Sequence, residues 1–318
     1  MPDAVVPHAA ESGGFAPVRA ESRPELLAPG TPGHQIFAEP LIALYALPGF
    51  LLPLMHPATA AATASSDKVF VDPNADLVDF ACRLRDTVEM ISGVAHAGTE
   101  ADHVAYAMRE LHRPMKGEDT LGATYHAWTR DIWTWNWAAI VAGYMHGYGQ
   151  FRGWPSASFR QDAYLGMVEA GRRFGVLGMP ATYEDFLAEW PTHRDRDADP
   201  RNVGVLRLLA LLTPSGLPRP RGFRWLPLPL WAVLSLPIRH FLRVAIIGGL
   251  TDDERRMIGF PARRLDGLRV GVHVAVWRCV PRGMTYRFGL LWMAGRARWT
   301  KPVWRTRFSA ETLAARKA

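Results

Sequence analysis

Apolar residues recurring at steps of three and four confine this chain to packed helices. Between 77 and 95 they are Leu77, Phe80, Ala81, Leu84, Val88 and Ile91, which fall on one face of an α-helix. Residues 41–55 and 57–65 read as two helices meeting at Pro57, a residue suited to a first helical position. A Thr-Glu-Ala-Asp cap opens a helix over 99–112, which Pro114 and Gly117 end. Thr129-Arg-Asp starts a long helix through Phe151, and 158–175 is another, closed by Gly175 and Gly178. Thr182 caps a helix over 182–189 that Pro191 stops, and 193–202 reads as a charged linker. A helix spans 203–212, a loop rich in Arg and Pro spans 218–229, and 230–247 is apolar. Thr251-Asp-Asp-Glu is a strong cap, and 263–280 and 284–299 are the final helices. Strand-like alternation is scarce and no repeat of fixed period occurs. The expected fold is all-α: a single multi-helix bundle with buried aromatic-rich helices over 33–300, a flexible N-terminal arm at 1–32 and a polar tail at 301–318.

At 318 residues and 48% hydrophobic, the chain can bury a large core, which excludes a disordered or collagen-like protein. Its two cysteines, Cys82 and Cys279, exclude a disulfide scaffold and any four-thiolate metal site. They are expected as reduced thiols in a cytoplasm, and 1–23 shows no secretory signal pattern. The charge is lopsided: residues 201–318 hold 22 Lys and Arg against 5 Asp and Glu, residues 1–200 hold 15 against 25. Such a basic half meets either acidic helix faces of its own fold or an anionic membrane surface. The apolar stretches at 41–55 and 225–238 fall short of the roughly 20 residues that span a bilayer. Arginines and tryptophans flank the second, which makes peripheral membrane contact an expectation for it. The chain has no G-x-S-x-G elbow, no phosphate loop, no G-x-G-x-x-G unit, no H-E-x-x-H and no C-x-x-C. A nucleic-acid partner is not expected, because only charge and aromatics would support it.

What remains is a set of polar groups inside apolar helices. His56 follows Leu51-Leu-Pro-Leu-Met and precedes Pro57-Ala-Thr-Ala-Ala. Arg85 and Thr87 sit on an otherwise apolar helix, and Arg109 and His112 share a face. Each taken singly reads as a structural group; together they outline an internal polar pocket. Its arginines suit an acidic ligand and a neutral imidazole suits haem iron. The helix over 131–151 carries Trp133, Trp135, Trp137, Tyr144, His146 and Tyr148. It is either an aromatic core stripe or the wall of a site for a flat apolar molecule.

The run from Leu51 to Ala61 resembles the "LLLQLAHPAVAAGV" signature of the MpaB-type oxygenase family, which includes the catalytic domain of rubber oxygenases (latex-clearing proteins). Arg83-Leu-Arg-Asp-Thr-Val-Glu resembles its "RLRRTLE", and Arg109-Glu-Leu-His-Arg-Pro-Met-Lys-Gly its "R-x-x-H-x-x-v-x-G". Tyr125-His-Ala-Trp, leading to Trp135-Asn-Trp-Ala-Ala-Ile-Val, resembles "YHALNPE…WVHATLV", and 250–261 resembles "L…r…lGlPw". These segments occur in the family's order over about 33–300. The resemblance implies an all-α fold, haem b, dioxygen and a small hydrophobic substrate. It implies catalytic roles for His56, Arg109 and His112, and cofactor contacts from His56, Arg85, Thr87, His112, His126 and Trp137. The family's axial iron ligand is a histidine, and Trp137 stands in its place. Indole has no lone pair for iron. Either another histidine, His56, His112, His126 or His146, holds the iron, or a non-catalytic relative has kept the pocket for an apolar or lipid-like ligand.

Overall fold

The computed structural model describes residues 23–39, 42–67, 69, 72, 74–96 and 101–299, with backbone alone at 42–46 and 292–299. Among them are fourteen α-helices and one two-stranded hairpin. In chain order the helices are α1 (Pro32–Ala38), α2 (Ile42–Leu51), α3 (Pro57–Ser66), α4 (Leu77–His96) and α5 (Ala101–His112). After the hairpin come α6 (Arg130–Arg152), α7 (Ala157–Arg173), α8 (Tyr183–Asp197) and α9 (Val203–Ala210). The last five are α10 (Leu228–Leu234), α11 (Leu236–Gly249), α12 (Asp252–Met257), α13 (Asp266–Cys279) and α14 (Arg282–Trp299). Strands β1 (Lys116–Glu118) and β2 (Thr124–His126) pair antiparallel.

The all-α expectation holds, and α6 is the axis of the bundle. It packs on α2, α11 and α13. Its buried residues include Trp135, Trp137, Tyr144, Tyr148 and Phe151. Two crossings bring backbones together at glycine. A Cβ on Gly143 of α6 would lie 2.8 Å from the Gly49 nitrogen of α2, and one on Gly166 of α7 would lie 2.3 Å from the Gly33 Cα of α1.

Several proline positions differ from the sequence reading. Pro191 lies inside α8, which runs on to Asp197 through the expected linker. The bond that Pro191 removes belongs to the Leu187 carbonyl, and both residues are exposed, so water can take its place. The 41–55 stretch breaks after Leu51 into a 3-10 turn, Pro53–Met55. The 218–229 loop ends where α10 begins, and the apolar 230–247 run divides at Ser235. Pro229 and Pro237 occupy first-turn positions, where their missing N–H costs nothing. The Thr251 cap forms a full capping box with Glu254. Residues 1–22 of the arm, the 301–318 tail and the Thr99 cap lie outside the described residues. The rest of the arm is fastened: Leu27 is buried and the Arg23 N–H donates to Glu169.

Buried polar groups tie α14 to the bundle. Arg152 and Glu39 pair at 3.5 Å, both enclosed. Arg152 also donates to the carbonyls of Trp277 and Val280 and to the Thr285 hydroxyl. Beside it His34 Nε2 meets His96 Nδ1 at 2.9 Å, and the Tyr286 hydroxyl meets His34 Nδ1 at 3.1 Å.

Candidate functional site

One end of the bundle holds a half-open cavity of about 530 Å³. His56 and Ala58 from the start of α3 form one wall, and Asp119, Thr124, Tyr125 and His126 from the hairpin form another. The first turns of α6 give Asp131, Ile132, Trp135 and Ala138; the end of α8 gives Trp190, His193, Arg196 and Asp197.

The local sequence explains this assembly. His56 is the N-cap of α3, and its Nδ1 accepts the Ala58 N–H at 3.1 Å. The preceding 3-10 turn is clamped by distant groups. The Met55 carbonyl accepts the Asp199 N–H, the Leu54 carbonyl accepts Asn202 Nδ2 and the Pro53 carbonyl accepts the Trp135 indole. The Thr120 hydroxyl donates to Asp199, fastening the hairpin tip to the end of α8. Asp119 Oδ1 accepts the N–H groups of Leu121 and Ala123 across the turn, where Gly122 has φ +84°. The Trp135 ring forms the floor, 5.5 Å from His56 and 5.3 Å from Trp190.

The three imidazoles share one state. His126 Nδ1 accepts the Trp128 N–H, and His193 Nδ1 accepts from the Arg196 guanidinium. Guanidinium and amide N–H groups only donate, so each neutral ring carries its proton on Nε2. Burial lowers the His56 pKa, with the carboxylates of Asp197, Asp119 and Asp131 partly opposing it. Burial, then the charge of Arg196, lowers that of His193. At neutral pH the cavity therefore presents Nε2–H donors above an aromatic floor, with carboxylates at its rim.

The sequence-predicted residues divide between places. His56 and His126 meet in this cavity. His112, at the end of α5, donates Nδ1–H to the Met108 carbonyl at 2.8 Å and stands edge-on to Trp133. Arg109 lies over the Tyr106 ring on the same helix. Thr87 bonds Arg83, one turn back on α4, and Arg83 also holds Asp67. Arg85 lies on another face and pairs with Asp86, which raises its pKa. Arg83, which opens the family-like segment, is the arginine of this helix whose charge reaches His112, and its i, i+4 spacing to Thr87 is the sequence signal for it. His146 feels Glu254 and Arg255, with burial lowering its pKa first. His193, Arg196 and Asp197 were hidden in the expected linker.

Trp137 faces α7. Its Nε1–H donates to the Met167 carbonyl at 2.9 Å, and a Cβ on Gly171 would lie 2.2 Å from that nitrogen. Phe174 packs at 5.2 Å. The residues at this position do not fit a haem iron: no lone pair is offered and the indole fills the space. The cavity histidines do not fit it either, because their Nε2 atoms are protonated and the rim carboxylates oppose propionates. No group of three or more His, Cys, Asp or Glu among the described residues could hold a metal ion.

A family model described as "ER-bound oxygenase mpaB/B'/Rubber oxygenase, catalytic domain" matches residues 34–280. No curated protein and no solved structure matches the chain.

Proposed function

Since the chain belongs to the mpaB/rubber oxygenase catalytic-domain family, an oxygenase-type family, we propose that it takes up a compact, uncharged, largely apolar molecule in the His56 cavity. The carrying observation is the pairing of a neutral Nε2–H donor on His56 with the floor of Trp135 and Trp190. The apolar body of the ligand would lie on the indoles, and an acceptor oxygen would take the His56 proton in a hydrogen bond. The carboxylates of Asp119, Asp131 and Asp197 select against an anionic ligand.

A neutral ketone, 2-acetylnaphthalene, tests this reading by quenching tryptophan fluorescence. It should bind up to about tenfold more tightly than naphthalene, the worth of one added hydrogen bond. His56→Asn keeps a good N-cap for α3 and removes the ring. It should erase that preference while leaving helical circular dichroism intact. Equal binding of the two probes to the parent protein would sink the reading.

A second reading, haem-dependent oxygenation with dioxygen, is favoured by one bond. The Nδ1–H of His112 is spent on the Met108 carbonyl, which leaves Nε2 with its lone pair, the state of a metal-ligating histidine. Haem b would supply dioxygen binding and activation. Protein expressed with ample haem precursor should be colourless if the first reading stands alone. A Soret band with stoichiometric haem in the pyridine haemochrome assay, lost in His112→Ala with helicity retained, would establish the second.

A further inference from the structure

We propose that the outer face of α10, α13 and α14 docks on an anionic lipid bilayer as a monotopic surface. Helix α13 is fourteen residues long and buries only Asp266 and Val270. Its N-cap Leu265 is exposed, as are Leu268, Val272 and Val276 along the helix. That is helical spacing, with the apolar stripe turned to solvent instead of to a core. Helix α14 repeats it: Met284, Phe288 and Leu291 are 56%, 60% and 71% exposed. On α10, Leu228, Leu230, Val233 and Leu234 are exposed, and Trp225 just before it is 75% exposed.

The helices that carry these stripes are joined through α11 and α6. Arg243 of α11 holds Asp266 at the start of α13, and His240 meets His273 at 3.3 Å along the same pair of helices. Arg152 gathers the α13–α14 junction through Trp277, Val280 and Thr285. An apolar face of this extent on a water-soluble domain marks a site of association.

Charge selects the occupant. Residues 219–291 hold 13 arginines against 4 acids. Asp266 is enclosed, and Arg224, Arg263, Arg264, Arg278 and Arg287 are exposed. Two copies of such a face repel each other, whereas anionic headgroups attract it. Trp225 beside Arg224 is the residue pairing of a membrane–water boundary. No single described helix is long and apolar enough to cross a membrane; α10 and α11 together are, but they bend by 57°. A bent pair with an apolar outer side fits a layer lying in the headgroup region.

The test uses the exposed thiol Cys279 at the end of α13. In a Cys82→Ser background it is labelled with an environment-sensitive fluorophore, and the protein is mixed with phosphatidylcholine vesicles with or without phosphatidylserine. We expect pelleting and a blue shift with the serine-containing vesicles at low salt, and release at high salt. Leu268→Glu with Val272→Glu should lower partitioning by at least about tenfold, as loss of two buried aliphatic side chains requires. Circular dichroism checks that this variant folds. Absence of pelleting and of a blue shift at low salt overturns the proposal, whether or not the variants fold. So does a stable dimer in light scattering that the double variant dissociates while vesicles bind neither form.

Discussion

Gly166→Ala is expected to destabilise the protein by about 3 kcal/mol, although alanine normally improves a helix by about 1 kcal/mol over glycine. The sign reverses because the new Cβ would stand 2.3 Å from the Gly33 Cα, and a backbone atom cannot swing away as a side chain can. Helices α1 and α7 would have to part, unpacking Ile36 and Phe37, both buried. Gly271→Ala in α13 is the control, for nothing lies within 4 Å of its added Cβ. It should stabilise by about 0.5–1 kcal/mol. Urea melts of both variants read the two signs. A neutral or stabilising Gly166→Ala would mean that α1 does not lie on α7 as described.

Acid should weaken the protein in two successive, overlapping windows. Burial holds His96 at about 3, with His34 pushing the same way, against an unfolded value of 6.5. The folded chain thus refuses a proton that the unfolded chain accepts. The stability this neutral ring contributes is complete above pH 6.5 and drains away as pH falls towards 3. At pH 5 the loss is on the order of 2 kcal/mol from this residue alone. His96→Gln cannot titrate, so its urea midpoint should fall less between pH 7 and pH 5 than the parent's. Equal falls would show that His96 is protonated in the folded state. The second window belongs to Asp266. Burial would raise it, but the bonds from Arg243 and the Arg263 N–H prevail and hold it at about 2, below its usual 3.8. Its contribution is present above that usual value and is lost as pH drops towards 2.

Most of the architecture was legible in the residues because the apolar stripe of α4 and the caps at Thr182 and Thr251 are local signals. What misled was proline. Pro191 is tolerated where the Leu187 carbonyl can tilt away from its ring into water, and that exposure is a tertiary fact. That one residue concealed the end of α8, and with it His193, Arg196 and Asp197. The hairpin escaped notice because each strand has only three residues, too few for alternation to register. His56 and His126 could be singled out from sequence, but their tautomers could not. Those depend on the N–H groups of Ala58 and Trp128, which only the folded backbone aims. Arg83 and Arg85 are two residues apart and so lie on different faces of α4; which of them reaches Thr87 follows from the i, i+4 phase alone.

The contact of Trp137 with Gly171 carries an evolutionary consequence. An indole at 137 is admissible only while 171 has no side chain. Placing histidine at 137 in a single step would open a void beside Gly171 and strand the Met167 carbonyl. Adding a side chain at 171 first would strike the indole. Either change made alone passes through a damaged intermediate, so the two positions are epistatically coupled. Among relatives, the two positions should change together: tryptophan with glycine, a smaller residue with a bulkier one.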